Sequence, residues 1–409
     1  MKLHSIVIVV LTALALGCAP EAPEAEGPSF KVERKFIYPQ EFPPGKPYSP
    51  GVLVGETLYI AGQVSLDPQT REQPSTIEEQ THMAMKNMGY VLRDADMDYD
   101  NVVTCHVQLD DMDDYQGMNK VYGSYYTSGR YPARTTLEFP ALPSDSRLEI
   151  TCIAYGDKSK IEVVRPEEGK TPAAMGPYSP AVWAGDTLYL SGQGGRNPQT
   201  NEIDPTIEGQ TKQTLDTVGE ILKAAGLDYE NTVMVNPYYL GPENYGKLNS
   251  VYSEYFDLGR PSARASFCLS RLPGTISVEI TFIATRNMRK KGRVYPHGRR
   301  PSHTAVPATI DGNTMYLSAK SAPGAGDDIE SQFRASIESR LRILKIAGMG
   351  LENVVSTNVY LKNLDDMPKM TEIFREYFPS NQPVRTTVQV MQEGPREKVL
   401  EEISMIAVR

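Results

Sequence analysis

Three stretches of this 409-residue chain carry an arginine shortly after a proline and a glutamate further on in an apolar run: YPARTTLEFPALPSDSRLEITCIA, RPSARASFCLSRLPGTISVEITFIA and QPVRTTVQVMQEGPREKVLEEISMIA. The pairs are Arg134 with Glu149, Arg264 with Glu279, and Arg385 with Glu402. The interval is 15 residues in the first two and 17 in the third. A guanidinium fork binds a carboxylate through two parallel hydrogen bonds and stays charged at any working pH. A glutamate beside it can hold and polarise a water, or pass a proton to a leaving nitrogen. The same two residues at sheet ends also make an ordinary ion pair, and duplication copies a structural pair as faithfully as a catalytic one.

The elements around the pairs repeat as well. TLYIAGQVSLDPQT (57–70) returns as TLYLSGQGGRNPQT (187–200) and, worn down, as TMYLSAKSAPGAGD (314–327). DADMDYDNVV, AAGLDYENTV and IAGMGLENVV form a second column, and MNKVYGSYY, LNSVYSEYF and MTEIFREYF a third. Units of 28–157, 158–290 and 291–409 follow. Within each, TLYLSGQ alternates like a strand. Ile207, Thr211, Leu215, Val218 and Leu222 then recur at steps of three and four, the stripe of an amphipathic helix. Gly226 and Gly348 stand where a left-handed helix end belongs, and Asp96 holds that place in the first unit. The expected order is β-β-α-β-α-β-β, an α+β unit with its helices backing one sheet. If one unit forms trimers, fusing three converts cyclic symmetry into an internal pseudo-threefold, and the chain is expected to be monomeric.

Composition bounds the partners. With 40% hydrophobic and 23% charged residues the chain is an ordinary globular protein. A net charge of −9 argues against nucleic acid, which needs a basic surface. Residues 1–18 look like a lipoprotein-type export signal, with a short apolar run ending in Leu14-Ala15-Leu16-Gly17-Cys18. Cys18 is the expected lipidation site, and 19–27 is a Pro/Glu/Ala tether holding the body off a membrane on the periplasmic or cell-surface side. Cys105 and Cys152 are expected as small buried thiols, with a disulfide as the lesser alternative. No cysteine or histidine spacing suits a metal. The basic run RNMRKKGRVYPHGRRP (286–301) reads as a solvated linker, with attraction to anionic lipid as the sharper alternative.

Taken together, GPYSPAVWAGDTLYLSGQ, AAGLDYENTV, LNSVYSEYF and PSARASFCLSRLPGTISVEITFIA resemble the RidA/YjgF family of reactive intermediate deaminases. The resemblance covers all three units. It implies a chorismate-mutase-like fold, trimeric packing with a cleft at each interface, and hydrolysis of 2-imino acids or enamines to 2-keto acids and ammonia without a cofactor. By the same resemblance Arg134, Arg264 and Arg385 bind the substrate carboxylate, and Glu149, Glu279 and Glu402 activate water. The family's cleft tyrosine matches Tyr48 and Tyr178, its serine Ser191 and Ser318, and its second-helix asparagine Asn119 and Asn249. Gly62 and Gly192 match the glycine that offers backbone groups to the substrate.

The second unit carries the whole set. The first has Ala61 for the serine and Lys46 for the glycine of Gly-Pro-Tyr. The third has Ala305 for the tyrosine, Ala319-Lys320 for Gly-Gln and Thr371 for the asparagine. It reads as structurally retained and functionally worn, and a worn unit damages any cleft it shares. The leading expectation is an imine or enamine deaminase. The alternative is a non-catalytic scaffold of the same fold that holds a small carboxylate or a partner.

Overall fold

The computed structural model describes residues 32–256, 260–296, 302–391 and 396–409. The expected signal, Cys18 and the tether lie outside them. Among the described residues no helix is long and apolar enough to cross a membrane.

In the first unit β1 (Arg34–Ile37), β2 (Gly51–Val54), β3 (Thr57–Ile60) and a short β4 (Gln63–Val64) precede α1 (Ile77–Asp94). Then come β5 (Val102–Leu109), α2 (Tyr115–Ser124), β6 (Ala133–Glu138) and β7 (Leu148–Tyr155). The sheet order is β1-β2-β3-β7-β5-β6. β5 and β6 are parallel because α2 carries the chain back across the sheet, whereas β7 runs antiparallel between β5 and β3. The other two units repeat this order around α3 (Ile207–Ala224) and α4 (Tyr245–Tyr252), and around α5 (Ile329–Ile346) and α6 (Met367–Tyr377). Three α+β units in tandem are what the repeats predict. Each gains one leading strand beyond the expected order: Arg34–Ile37, Ile161–Val164 and Lys291–Val294.

The last of these strands corrects the reading of the basic run. Lys291–Val294 pairs with Ala308–Asp311, and Arg286 stacks over Trp183 at 3.8 Å. The aliphatic stems of these cations cover apolar surface, so 286–294 belongs to the fold rather than to a solvated linker. Residues 297–301 lie outside the description.

Helix ends and stripes follow the sequence. Ile207, Thr211, Leu215, Val218 and Leu222 are all buried on α3, and Thr206 caps its start by accepting from Gly209 N. Gly226, Gly348 and Asp96 adopt φ of 72°, 67° and 58°; Asp96 is a non-glycine holding the left-handed end. The free-thiol expectation is overturned. Cys105 and Cys152 sit directly opposite on β5 and β7, Cα atoms 4.2 Å apart, and are disulfide-bonded. The same positions hold Val235 and Phe282 in the second unit, and Thr357 and Met405 in the third.

Each unit has its own core between helices and sheet, and further apolar clusters join the units. Val103 and Ala133 pack on Val182, Ala184 and Tyr189 of unit 2. Val52, Tyr59 and Ala61 pack on Val355, Val384 and Val408 of unit 3. A third cluster draws on all three. The ladder register skips one residue in each unit, at Val103, Val233 and Val355, and each skipped valine is buried in an inter-unit cluster. A bulge thus turns a sheet residue toward the neighbour. Backbone bonds repeat the contact three times: Ser179 N to Pro132 O (3.0 Å), Val306 N to Ser262 O (3.2 Å) and Ser49 N to Pro383 O (3.3 Å). The units close into a ring, an intramolecular pseudo-trimer. An axial cavity of 110 Å³ is lined by Tyr59, Tyr189 and Tyr316, with His106, Asn236 and Asn358 among its polar groups.

Candidate active site

Each arginine meets the glutamate of the next unit around the ring, not its own. Arg134 faces Glu279 and Arg385 faces Glu149, while Arg264 docks on Ser318 of unit 3, in the cleft where Arg396 links Ser266 to Glu402. Three clefts result, here called A (units 1 and 2), B (units 2 and 3) and C (units 3 and 1). The complete set read along unit 2 is therefore divided. Tyr178, Ser191, Gly192 and Glu279 line cleft A, whereas Asn249 and Arg264 line cleft B.

Cleft A holds every expected residue type: Asn119 and Arg134 from unit 1, and Tyr178, Ser191, Gly192 and Glu279 from unit 2. Arg134 is the second residue of β6, and its backbone N donates to Ser191 Oγ at 2.8 Å, while Ser191 Oγ donates to Ser179 O at 2.6 Å. The guanidinium lies in an aromatic cage, 5.0 Å from the ring centre of Tyr122, 5.3 Å from Tyr178 and 5.6 Å from Tyr115. Its Nη2 donates to Tyr115 Oη at 3.3 Å. Its Nη1 is buried without a partner, as are both amide atoms of Asn119 and the hydroxyl of Thr136. Leaving such groups unpaired costs about 1–3 kcal/mol each, so this cluster is poised for a polar ligand.

Glu279 stands on the opposite wall, 5% exposed. Burial pushes its carboxyl up to about 8, against the opposing pull of Arg134. Gly192 explains how the carboxyl fits: a Cβ there would lie 1.9 Å from Glu279 Oε1. Its N–H donates to Arg134 O at 3.1 Å, so that donor is already engaged rather than offered to substrate. Gly176, the glycine of Gly-Pro-Tyr, plays the same part for the arginine, since a Cβ there would meet Arg134 Nη2 at 2.7 Å. Met175, Pro273 and Ile276 form the apolar part of the cleft wall.

Cleft C is a reduced version. Arg385 lies 5.5 Å from the Tyr48 ring and 5.0 Å from Phe374, and burial presses it below the usual guanidinium range. Glu149, again pushed up to about 8 by burial, crosses Gly62, where a Cβ would lie 1.6 Å from Oε1. Ala61 supplies no hydroxyl and Thr371 no amide. Lys46 reaches Tyr48 Oη at 3.4 Å and adds a second cation. Cleft B keeps Arg264, with Ser318 Oγ accepting from its N at 2.8 Å and Asn249 Oδ1 from Nη1 at 2.6 Å. There Glu402 is ion-paired with Arg396.

Sequence reasoning missed the cage. Tyr122, Tyr252 and Phe374 stand at one place in the third repeat column, and each lies under an arginine. Tyr115 and Tyr245 recur as the first residue of the second helix in the same way. Their recurrence was visible; their contact with arginine needed the fold. Among the described residues no group of histidine, cysteine, aspartate or glutamate side chains is arranged to hold a metal.

Fold and clefts together define a fused three-unit protein with arginine- and glutamate-lined clefts between its units. Comparison with known proteins supplies the family: the model described as Endoribonuclease L-PSP matches residues 39–156, 168–286 and 300–409, and the chain belongs to this family, also known as RidA/YjgF. It is similar to a RutC family protein of Saccharolobus solfataricus, 43% identical over 30% of this chain and 97% of the relative. It is equally similar to the 2-iminobutanoate/2-iminopropanoate deaminase of Mus musculus, 43% identical over 26% of this chain and 80% of that protein. A solved Rid-family protein of Yersinia pestis aligns at 30% identity over 30% of this chain and 99% of its own, with a TM-score of 0.29.

Proposed function

We propose that the chain hydrolyses small 2-imino acids, and their enamine tautomers, to 2-keto acids and ammonia, with cleft A as its principal site. One observation carries the reading: a caged arginine and an asparagine with buried, unpartnered polar atoms face a protonatable glutamate across an interface. Arg134 and Asn119 hold the substrate carboxylate, which fixes the imine carbon near Glu279. As a carboxylic acid, Glu279 gives its proton to the imine nitrogen. Water adds to the carbon, and the resulting carboxylate takes a proton from that water. The carbinolamine then loses ammonia: Glu279 protonates the amine, the C–N bond breaks, and the Glu279 carboxylate takes the hydroxyl proton as the C=O bond forms, which restores the acid. Atoms balance with water as the only co-reactant. Relatives that bear the deaminase name support this chemistry. The deciding experiment generates 2-iminopropanoate in situ and follows its loss with and without the protein. Unchanged decay rejects the reading.

We further propose that the chain is exported, lipid-anchored through Cys18 and monomeric. The Cys105–Cys152 disulfide supports export, since such bonds persist in oxidising compartments. Cys18→Ser is expected to free the protein from membranes, and sedimentation to give the mass of one chain. A membrane-retained variant, or a trimer of chains, would reject the respective claim.

A further inference from the structure

Cleft B keeps its carboxylate-binding wall intact. Like Arg134, Arg264 is held by a serine hydroxyl, here Ser318, and lies over an aromatic ring, Tyr252 at 4.5 Å; unlike Arg134 it also donates to the asparagine of the second helix, Asn249. Its Nε is buried with no partner. The opposite wall differs. Arg396 donates from Nη2 to Glu402 Oε2 and from Nη1 to Ser266 O at 3.3 Å. Ser266 lies two residues beyond Arg264, so one guanidinium bridges both units across the cleft. Among the described residues no cation bonds the carboxyl of Glu279 or Glu149 in this way.

Two sequence changes produce the bridge. The Arg385-to-Glu402 interval is longer than its counterparts by two residues, and Arg396 falls within it. Ala319 replaces the glycine over which Glu279 and Glu149 lie. A methyl group there excludes the carboxyl position seen in the other clefts, and Glu402 turns to the arginine instead.

We propose that cleft B is a latent binding site for small 2-keto or 2-imino monocarboxylates, sealed by the Arg396 guanidinium held on Glu402. The guanidinium takes the place that a protonated imine nitrogen takes beside Glu279, and it cancels the charge of the glutamate. The seal is internal to the chain and specific to one of three clefts. The ligand class rests on the reading of cleft A as a carboxylate site; the seal itself does not.

Calorimetric titration of the full chain with 2-oxobutanoate tests the proposal. Arg396→Ala is expected to bind one more equivalent per chain than the native protein. Adding Arg264→Ala should return the count to the native value. Arg396→Gln keeps a long side chain without the charge and should also gain a site, of weaker affinity; it serves if the alanine variant does not fold. A folded variant that gains no equivalent overturns the seal. If the native chain binds at an Arg134-dependent site while neither variant gains one, this proposal falls and the reading of cleft A stands. If the native chain binds nothing and Arg396→Ala binds one equivalent, the seal stands and the reading of cleft A falls.

Discussion

Clefts A and B share an arginine wall, though Ala305 stands in B where A has Tyr178, and one is open while the other is crossed by an arginine of the chain itself. Both have an arginine whose backbone N–H is held by a serine hydroxyl at 2.8 Å, and both have an aromatic ring under the guanidinium. They differ where the glutamate lies. In A a glycine lets the carboxyl rest against the backbone; in B an alanine and Arg396 take that space. The lesson concerns order of loss. The arginine wall survives in both, while the glutamate wall has changed in B. A fused chain permits this, because a substitution in one unit is not copied into the others as it is in a homotrimer.

The sharpest test of the difference exchanges the glutamates. Glu279→Gln keeps shape but cannot cycle a proton, and imine turnover should fall by about 10²-fold or more. Glu402→Gln should leave turnover within about twofold, an error-level change. Equal losses would erase the distinction between the clefts. A merely binding protein would have no turnover for Glu279→Gln to remove.

The arginines come next. Arg134→Ala should weaken keto-acid binding by about 1.5–3 kcal/mol, or roughly 10- to 150-fold, through loss of the charge-assisted contact. Arg264→Ala alone should not measurably change it in titrations of the native background. If Arg264→Ala weakens binding in the native chain, cleft B is already open.

The smallest effect is in pH. In the proposed reaction Glu279 starts as the acid, and burial pushes its carboxyl up to about 8. Turnover should therefore fall as pH rises past about 8, nearly tenfold per unit. The folded state keeps protons on Glu149 and Glu279 up to about 8 that the unfolded chain releases near 4.5. Stability should accordingly decline as pH rises through that window. A flat rate profile from pH 7 to pH 9.5 would remove Glu279 as the acid (about 8).

Much of the fold was legible because its signals are local. Alternation in TLYLSGQ, the α3 stripe and the glycine helix ends each reside within a few turns of chain. The candidate site was legible in residue type but not in grouping. Arg264 and Glu279 are near neighbours in sequence, yet the ring sends one to each side of unit 2. Arg134 meets Glu279 only because bulged valines and edge bonds dock unit 1 on unit 2. The leading strand Lys291–Val294 was hidden by its charges, which point a sequence reader to solvent. The disulfide needed the strand register that sets Cys105 opposite Cys152.

Cleft C joins the first and last units, far apart in the sequence. Ser49 Oγ donates to Gln382 O at 2.6 Å across 333 positions, and Arg34 donates to Val408 O across 374. Equilibrium cost grows only with the logarithm of such a span, about 0.6 kcal/mol per doubling. Assembly order is affected far more, since contacts between distant residues form late. Every residue of cleft A precedes unit 3 in the sequence, so the expected order forms cleft A first and shuts the ring when the strand Glu401–Val408 docks. The most intact cleft is thus the one that least depends on closure. A circular permutant opened after Tyr155, with the old ends joined, reverses this schedule. On refolding, its imine hydrolysis should recover later than the fluorescence of Trp183, and simultaneous recovery would argue against the order.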